Sequence, residues 1–297
     1  MKVLSNLANI VAAFFFITCA SNRPFVIKET PPMIESDPIE KGHLPIGEMR
    51  LYYEVHGKGE GVPLVLLNGG GSTIEVTYSK ILPIFAKHRK VIALDEQAHG
   101  RTTDRKGPVR FETSAEDVVA LLKFLKVDKA DLLGFSNGAN VALQVAIRHP
   151  QLVRKMVFAS SLTKKEGTYP QFWASMKRVT FSDMPQVLKD AFLKVNPDPQ
   201  KLRNMFDKDV DRMRNFPNVK ENEIRSVKAP VLVLLGDKDI PKPEHAVELF
   251  RLFPDSRLLI LPGGHGDYLG EAIMSQDKSR YHELTAALIE DFLGSPN

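Results

Sequence analysis

The sequence predicts an α/β fold: a mostly parallel central sheet with helices on both faces and an inserted helical cap. Three observations predict it. Short, wholly apolar runs recur, among them "VPLVLLN", "ADLLGF" and "APVLVLLGD", and such runs suit strands covered on both faces. Stretches with helical spacing alternate with them, which implies parallel strands joined by crossover helices. Between roughly residues 162 and 228 the alternation stops. A proline-broken amphipathic stretch, "YPQFWASMKRVTFSDMPQVLKDAFLKVNPDPQKLRNMFDKDVDRMRNFP", stands there instead. It holds no buried-strand pattern and reads as a cap over one edge of the sheet.

The chain starts before that fold does. After Lys2, "LANIVAAFFFITCA" runs apolar from Leu7 to Ala20, short for a membrane span and suited to a signal-peptide core. Residues 1–20 therefore read as a signal peptide or lipoprotein signal. "FITCAS" resembles the processing site of bacterial lipoproteins, with Cys19, the one cysteine of the chain, as the residue that receives lipid. Thr18 departs from that pattern. Simple secretion, with cleavage after Thr18-Cys19-Ala20, is the alternative, and an uncleaved anchor is the third reading. The expected location is the bacterial periplasm, membrane-attached through lipid on Cys19 or free, or else outside the cell. A mature chain without cysteine forms no internal disulfide. Residues 21–45, rich in proline and charge, read as a tether.

From Met49 the pattern is regular. "MRLYYEVHG" alternates like a half-buried strand, "VPLVLLN" stops at Asn68-Gly69-Gly70-Gly71, and "KVIALDE" leads into the loop "QAHGRTTDRKGP". "TSAEDVVALLKFLKV" is a helix that opens at a Thr/Ser cap. "ADLLGF", "VRKMVFASS", "APVLVLLGD" and "SRLLILPGG" are further strands. "NGANVALQVAIRHP", "PEHAVELFRLF" and "KSRYHELTAALIEDFL" are helices. The core is thus expected over 46–161 and 229–297, with the cap over 162–228. The net charge is +4, from 40 basic and 36 acidic residues. There is no long basic run and no interleaved basic and aromatic patch, so nucleic acid is a poor partner.

The stretch "LLGFSNGANVAL" places Ser136 between Gly134 and Gly138, where a strand turns sharply into a helix. A serine hydroxyl is a weak nucleophile that needs exposure, a base and donors for the developing oxyanion. The turn supplies exposure, and it needs small residues on either side. It also sets Ser136 at a helix N-terminus, where the Asn137 N–H is a ready donor. "LLNGGGST" supplies the second donor, Gly70, with Gly71 as its neighbour. The Lys-Ser/Thr of a phosphate-binding loop is absent there. The base is expected at His265, in "LILPGGHGDY" just past the last strand, with His99 of "DEQAHGRT" as the nearer competitor. The acid is expected in "VLVLLGDKDIP". Asp239 lies deeper in that loop than Asp237, which reads as a turn former.

The order Ser136, Asp239, His265, together with the elbow, resembles the alpha/beta-hydrolase superfamily over about residues 45 to 294. The resemblance rests on "LLNGGGST", "VIALDEQAHGRT", "LLGFSNGANVALQVAIRHP", "APVLVLLGDKD" and "LPGGHGDY". It implies that His99 is structural. Asn68 stands where the family commonly has histidine, and Asn137 where many relatives carry methionine or glutamine; neither change removes a backbone N–H. The implied chemistry is acyl transfer by a Ser-His-Asp triad, Ser136, His265 and Asp239, with Gly70 and Asn137 as the oxyanion hole and no metal or organic cofactor. The expected substrate is a small, partly apolar ester; Phe172, Trp173 and Met176 of the cap suggest an apolar pocket, and at that spacing they read equally well as the cap's own core. A nucleophilic serine argues against haloalkane dehalogenases and epoxide hydrolases, which use an aspartate. Lactonases, thioesterases and carbon–carbon bond hydrolases stay open, as does a catalytically dead member that binds a small ligand or a partner.

Overall fold

The computed structural model describes residues 37–273 and 279–296. The signal reading, Cys19 and most of the tether lie outside the described residues. Eight strands form one sheet: β1 (Glu40–Ile46), β2 (Met49–His56), β3 (Leu64–Leu67), β4 (Val91–Leu94), β5 (Ala130–Phe135), β6 (Val153–Ala159), β7 (Val231–Gly236) and β8 (Ser256–Leu261). Their order is β1-β2-β4-β3-β5-β6-β7-β8. The first two pairings are antiparallel and the rest parallel. The short apolar runs take the middle of the sheet, where β3, β4, β5 and β7 are buried along their whole length.

Side-chain alternation divides the core in two. Val65 and Leu67 join one cluster, Leu64 and Leu66 the other. The first is covered by α3 (Phe111–Phe124), α4 (Asn137–Arg148) and α9 (Pro243–Leu252). The second is covered by α1 (Ile74–Tyr78), α2 (Leu82–Ala86) and α10 (Tyr281–Gly294). Between β6 and β7 run α5 (Pro170–Met176), α6 (Gln186–Val195), α7 (Pro199–Arg214) and the short α8 (Glu221–Arg225). Helices α5 to α7 enclose an apolar cluster of their own, with Phe192 and Met205 at its centre.

Two boundaries differ from those read in the sequence. Residues 40–45 do not belong to the tether: β1 pairs with β2 from Glu40↔Val55 to Ile46↔Met49. The hairpin closes through Gly47 at φ +58°, a left-handed conformation that favours glycine. This edge strand is mostly exposed, so it carries no apolar run to betray it. The helix α3 opens at Phe111, ahead of the Thr/Ser cap, with Arg110 as its N-cap and no capping side chain. Burial decides that start, because the Phe111 ring packs edge-on against Phe216 at 5.8 Å.

Helix α7 is fastened to the loop after β4 by polar side chains on successive turns. Asn204 Nδ2 donates to Asp104 Oδ2 at 2.9 Å, and Lys208 Nζ donates to Asp104 Oδ1 at 2.7 Å and to the Arg105 and Gly107 carbonyls. One turn on, Arg212 donates to Glu96 Oε1 at 2.6 Å.

Candidate active site

Strand β5 ends at Phe135 and α4 begins at Asn137, so Ser136 alone makes the turn, at φ +54° and ψ −120°. A non-glycine residue there stores roughly 1–3 kcal/mol of strain. The Ser136 N–H, bonded to Ala159 O at 2.9 Å, helps to hold it. Neighbouring backbone explains the flanking glycines. A Cβ on Gly134 would come within 2.5 Å of Ala139 Cα, and one on Gly138 within 2.5 Å of the Leu67 carbonyl carbon. Both obstacles are main chain and cannot swing aside. Gly138→Ala is therefore expected to destabilise the fold by at least about 2 kcal/mol, the scale of an overpacked core. Urea midpoints measure it, and a midpoint equal to wild type would contradict the packing described.

His265 lies in the loop after β8, and its Nδ1–H donates to Asp239 Oδ1 at 2.6 Å. The imidazole packs on the Phe135 ring with centroids 4.7 Å apart. Asp239, in the loop after β7, is almost fully buried. It also accepts from the N–H groups of Gly236 at 3.1 Å and Ile240 at 2.7 Å, and from the Ser160 hydroxyl. Asp237 instead accepts the Gly263 N–H at 2.9 Å and so ties its turn to the histidine loop. Of the two aspartates, Asp239 is the one that meets His265.

Ser136, His265, Gly70 and Asn137 all face one cleft of about 640 Å³, partly open to solvent. In this conformation no hydrogen bond joins Ser136 Oγ to His265 Nε2; such contacts commonly tighten only when substrate binds. Among the described residues, no acceptor takes the backbone N–H of Gly70 or of Asn137. The rest of the lining is mainly apolar and comes from the cap. Phe172 and Met176, one helical turn apart, both line it. Trp173 does not, because it is rotated about 100° around α5. It packs against Phe216 at 5.6 Å, and its indole N–H donates to Lys165 O.

Four residues at the site escaped the sequence reading. Ser160, at the end of β6 with φ +50°, sits between Asp239 and Tyr268, with its Oγ 2.6 Å from the buried Tyr268 hydroxyl. Asp209 of α7 reaches the cleft from the cap and pairs with Arg212. Burial pushes the Asp209 carboxyl up, but the Arg212 charge and the His99 contact outweigh it and hold it far below the usual carboxylate range. The Asn137 side-chain amide donates to Asp209 Oδ1 at 3.4 Å. Asp209 Oδ2 lies 3.5 Å from His99 Nε2. That same nitrogen accepts the Gly71 N–H at 3.1 Å, while Nδ1 donates to Gln97 O at 2.9 Å. Burial lowers the proton affinity of His99 and Asp209 raises it, with a net upward shift. The Gly71 N–H and the Asp209 carboxylate converge on the same nitrogen of the buried ring. His99 thus buttresses the Gly70-Gly71 loop and stands outside the lining of the cleft.

Comparison with known proteins agrees with this architecture. A family model described as alpha/beta hydrolase fold matches residues 62–203. The chain is 30% identical over 243 residues to the dihydrolipoyllysine-residue acetyltransferase component of the acetoin cleaving system of Pseudomonas putida, covering 74% of this chain and 62% of that one. It is 27% identical over 271 residues to serine hydrolase BPHL of Homo sapiens, covering 84% of each. The chain spans about half, or less, of the length of other curated relatives it matches, 51% of one and 39% of another. Among solved structures, the enol-lactonase from Burkholderia xenovorans LB400 superposes with a TM-score of 0.66 at 20% identity, over 86% of this chain and all of that one. That likeness speaks for the fold alone.

Proposed function

The chain belongs to the alpha/beta-hydrolase superfamily, and on that premise we propose that it is a serine hydrolase that cleaves a small, partly apolar ester through an acyl-enzyme. One observation carries the reading: the 2.6 Å contact of His265 Nδ1 with Asp239 Oδ1, at a cleft that also holds the elbow serine. With Nδ1–H committed to Asp239, Nε2 keeps its lone pair for the Ser136 proton.

In this reading Ser136 Oγ bonds to the carbonyl carbon as its proton passes to His265 Nε2. The carbonyl π pair moves onto oxygen, and the Gly70 and Asn137 N–H groups hold the oxyanion that forms. The C–O bond to the alcohol breaks as His265 returns the proton to the leaving oxygen. Water then attacks the acyl-enzyme by the same route, freeing the acid and Ser136. Asp239, fixed by Gly236, Ile240 and Ser160, keeps the imidazole in the required tautomer throughout.

The test is covalent. A fluorophosphonate probe should label the protein once, at Ser136, and the label should block hydrolysis of p-nitrophenyl esters screened by acyl length beside a set of lactones. Labelling elsewhere, or full ester hydrolysis by the labelled protein, would sink the reading.

A further inference from the structure

Among the described residues, four other than glycine take a left-handed φ. Two of them, Ser136 at +54° and Ser160 at +50°, stand just past the neighbouring strands β5 and β6. The strain at Ser136 presents a nucleophile. Ser160 presents nothing to a substrate, because it is buried and does not line the cleft. Glycine would take the same backbone without strain, so a serine held there needs a reason of its own. Its N–H bonds to Leu234 O at 2.7 Å, a contact that any residue but proline could make. The reason therefore lies in the hydroxyl.

The direction of each bond follows from its partners. A carboxylate only accepts, so the Ser160 O–H points at Asp239 Oδ2. Ser160 Oγ then has only lone pairs for Tyr268, whose hydroxyl, 2.6 Å away, must donate. The rival acceptor for that proton, Leu234 O, is farther off at 3.5 Å. Tyr268 is fully buried, and burial with the nearby Asp239 charge pushes its phenol well above the usual range, so it stays a donor. The chain runs from Tyr268 to Ser160 to Asp239. Tyr268 is also the third residue after His265, on the same loop. That loop thus holds Asp239 twice, once through His265 Nδ1–H and once through the two hydroxyls. The ring so closed joins the segments that follow β6, β7 and β8.

We propose that Ser160 and Tyr268 are positioning residues of the triad: their hydroxyls form a directed hydrogen-bond chain that fixes the Asp239 carboxylate against His265 and draws negative charge away from it, which sets the basicity of the imidazole. The inference rests on the serine-hydrolase reading above. The sign follows. Asp239 spreads its charge over four donors. With the Ser160 hydroxyl gone, more of that charge faces His265, the imidazolium is favoured, and the histidine gains its proton at higher pH. The other titratable groups around the pair are Asp267, which faces Asp239 and His265, Tyr78, which faces Tyr268, and Asp209 and Glu271 on the cleft walls. All four stay in place in every variant below, so differences belong to the two hydroxyls.

The test is the pH profile of kcat/KM for p-nitrophenyl acetate with the purified full chain, whose acidic limb reports the free base. Ser160→Gly suits the backbone and removes the hydroxyl. It should lower the plateau about tenfold and move the acidic limb up by about half a pH unit or more. Tyr268→Phe keeps the ring and cuts the chain one bond further out, so the limb should move the same way by less, with a loss of about threefold. The double variant should be little worse than Ser160→Gly, because the chain is already cut. A purely structural role would lower the active fraction and leave the limb where it is. An unmoved limb in Ser160→Gly overturns the inference, and so do losses that simply multiply in the double variant. Urea midpoints establish that each variant is folded. Should Ser160→Gly fail to fold, Tyr268→Phe decides by the same limb, and a profile that superposes on wild type overturns the inference. Fluorophosphonate labelling of wild type separates the two failures. If Ser136 is labelled and the enzyme is active while the variants leave the limb unmoved, only the role of the two hydroxyls falls. If wild type is neither labelled nor active, the hydrolase reading falls and takes this inference with it.

Discussion

Ser136→Ala is expected to lose at least about a thousandfold in kcat on p-nitrophenyl acetate, the scale of losing a nucleophile that acts as one unit with its base. The fold should survive. The substitution removes only a hydroxyl that makes no hydrogen bond among the described residues, and the Ser136 N–H to Ala159 O bond is unaffected. Far-UV circular dichroism and a thermal melt establish that the variant is folded, and stopped-time assays give the rate. A folded variant as active as wild type would remove Ser136 from the chemistry and, with it, the acyl-enzyme.

Asp239→Asn should lower kcat/KM by on the order of a thousandfold or more, whereas Asp237→Asn should change it less than about threefold. The environments explain the asymmetry. Asp239 accepts from two backbone N–H groups, the Ser160 hydroxyl and His265, so donors approach both of its oxygens. An asparagine NH₂ must oppose at least one of them, and the imidazole is then drawn toward the wrong tautomer. Asp237 accepts one Gly263 N–H through a single oxygen, a contact that an asparagine carbonyl can keep. Steady-state kinetics beside a urea midpoint for each variant separate catalytic from folding loss. Equal losses would mean that the two loops act as one structural unit, and a larger loss at Asp237 would reverse the assignment.

How far such residues can be read from sequence depends on where their partners lie in the chain. The middle strands are legible because a strand covered on both faces must be apolar throughout, as "VLVLLG" of β7 is. Strand β1 is not, since an edge strand needs only a hairpin partner and tolerates charge. Ser136, Asp239 and His265 each stand in a turn or loop just beyond a strand of the parallel sheet, where this fold gathers its chemistry. Ser160 leaves no such trace, because its partners are 79 and 108 residues away. Asp209 is harder still. It is one of three aspartates in "FDKDVDRMR", and only the rotation of α7 separates it from the exposed Asp207, paired with Arg203, and from Asp211, which bonds to Asn215. Trp173 shows why both readings of the cap aromatics stood open: the rotation of α5 turns it away from the cleft and into packing against Phe216.

The row of polar fastenings along α7 bears on how the molecule comes apart. Asn204, Lys208 and Arg212 recur at intervals of four and secure the cap to the loop after β4 over two full turns. Lifting that helix alone would leave Glu96 without its guanidinium and strip Asp104 of two donors, while Val76 of the sheet-side helix α1 would lose its apolar cover. Each of these losses raises the free energy of a half-opened state. The inserted segment is thus no detachable module but part of a single cooperative unit, and calorimetry should record one melting transition in which cap and sheet are lost together.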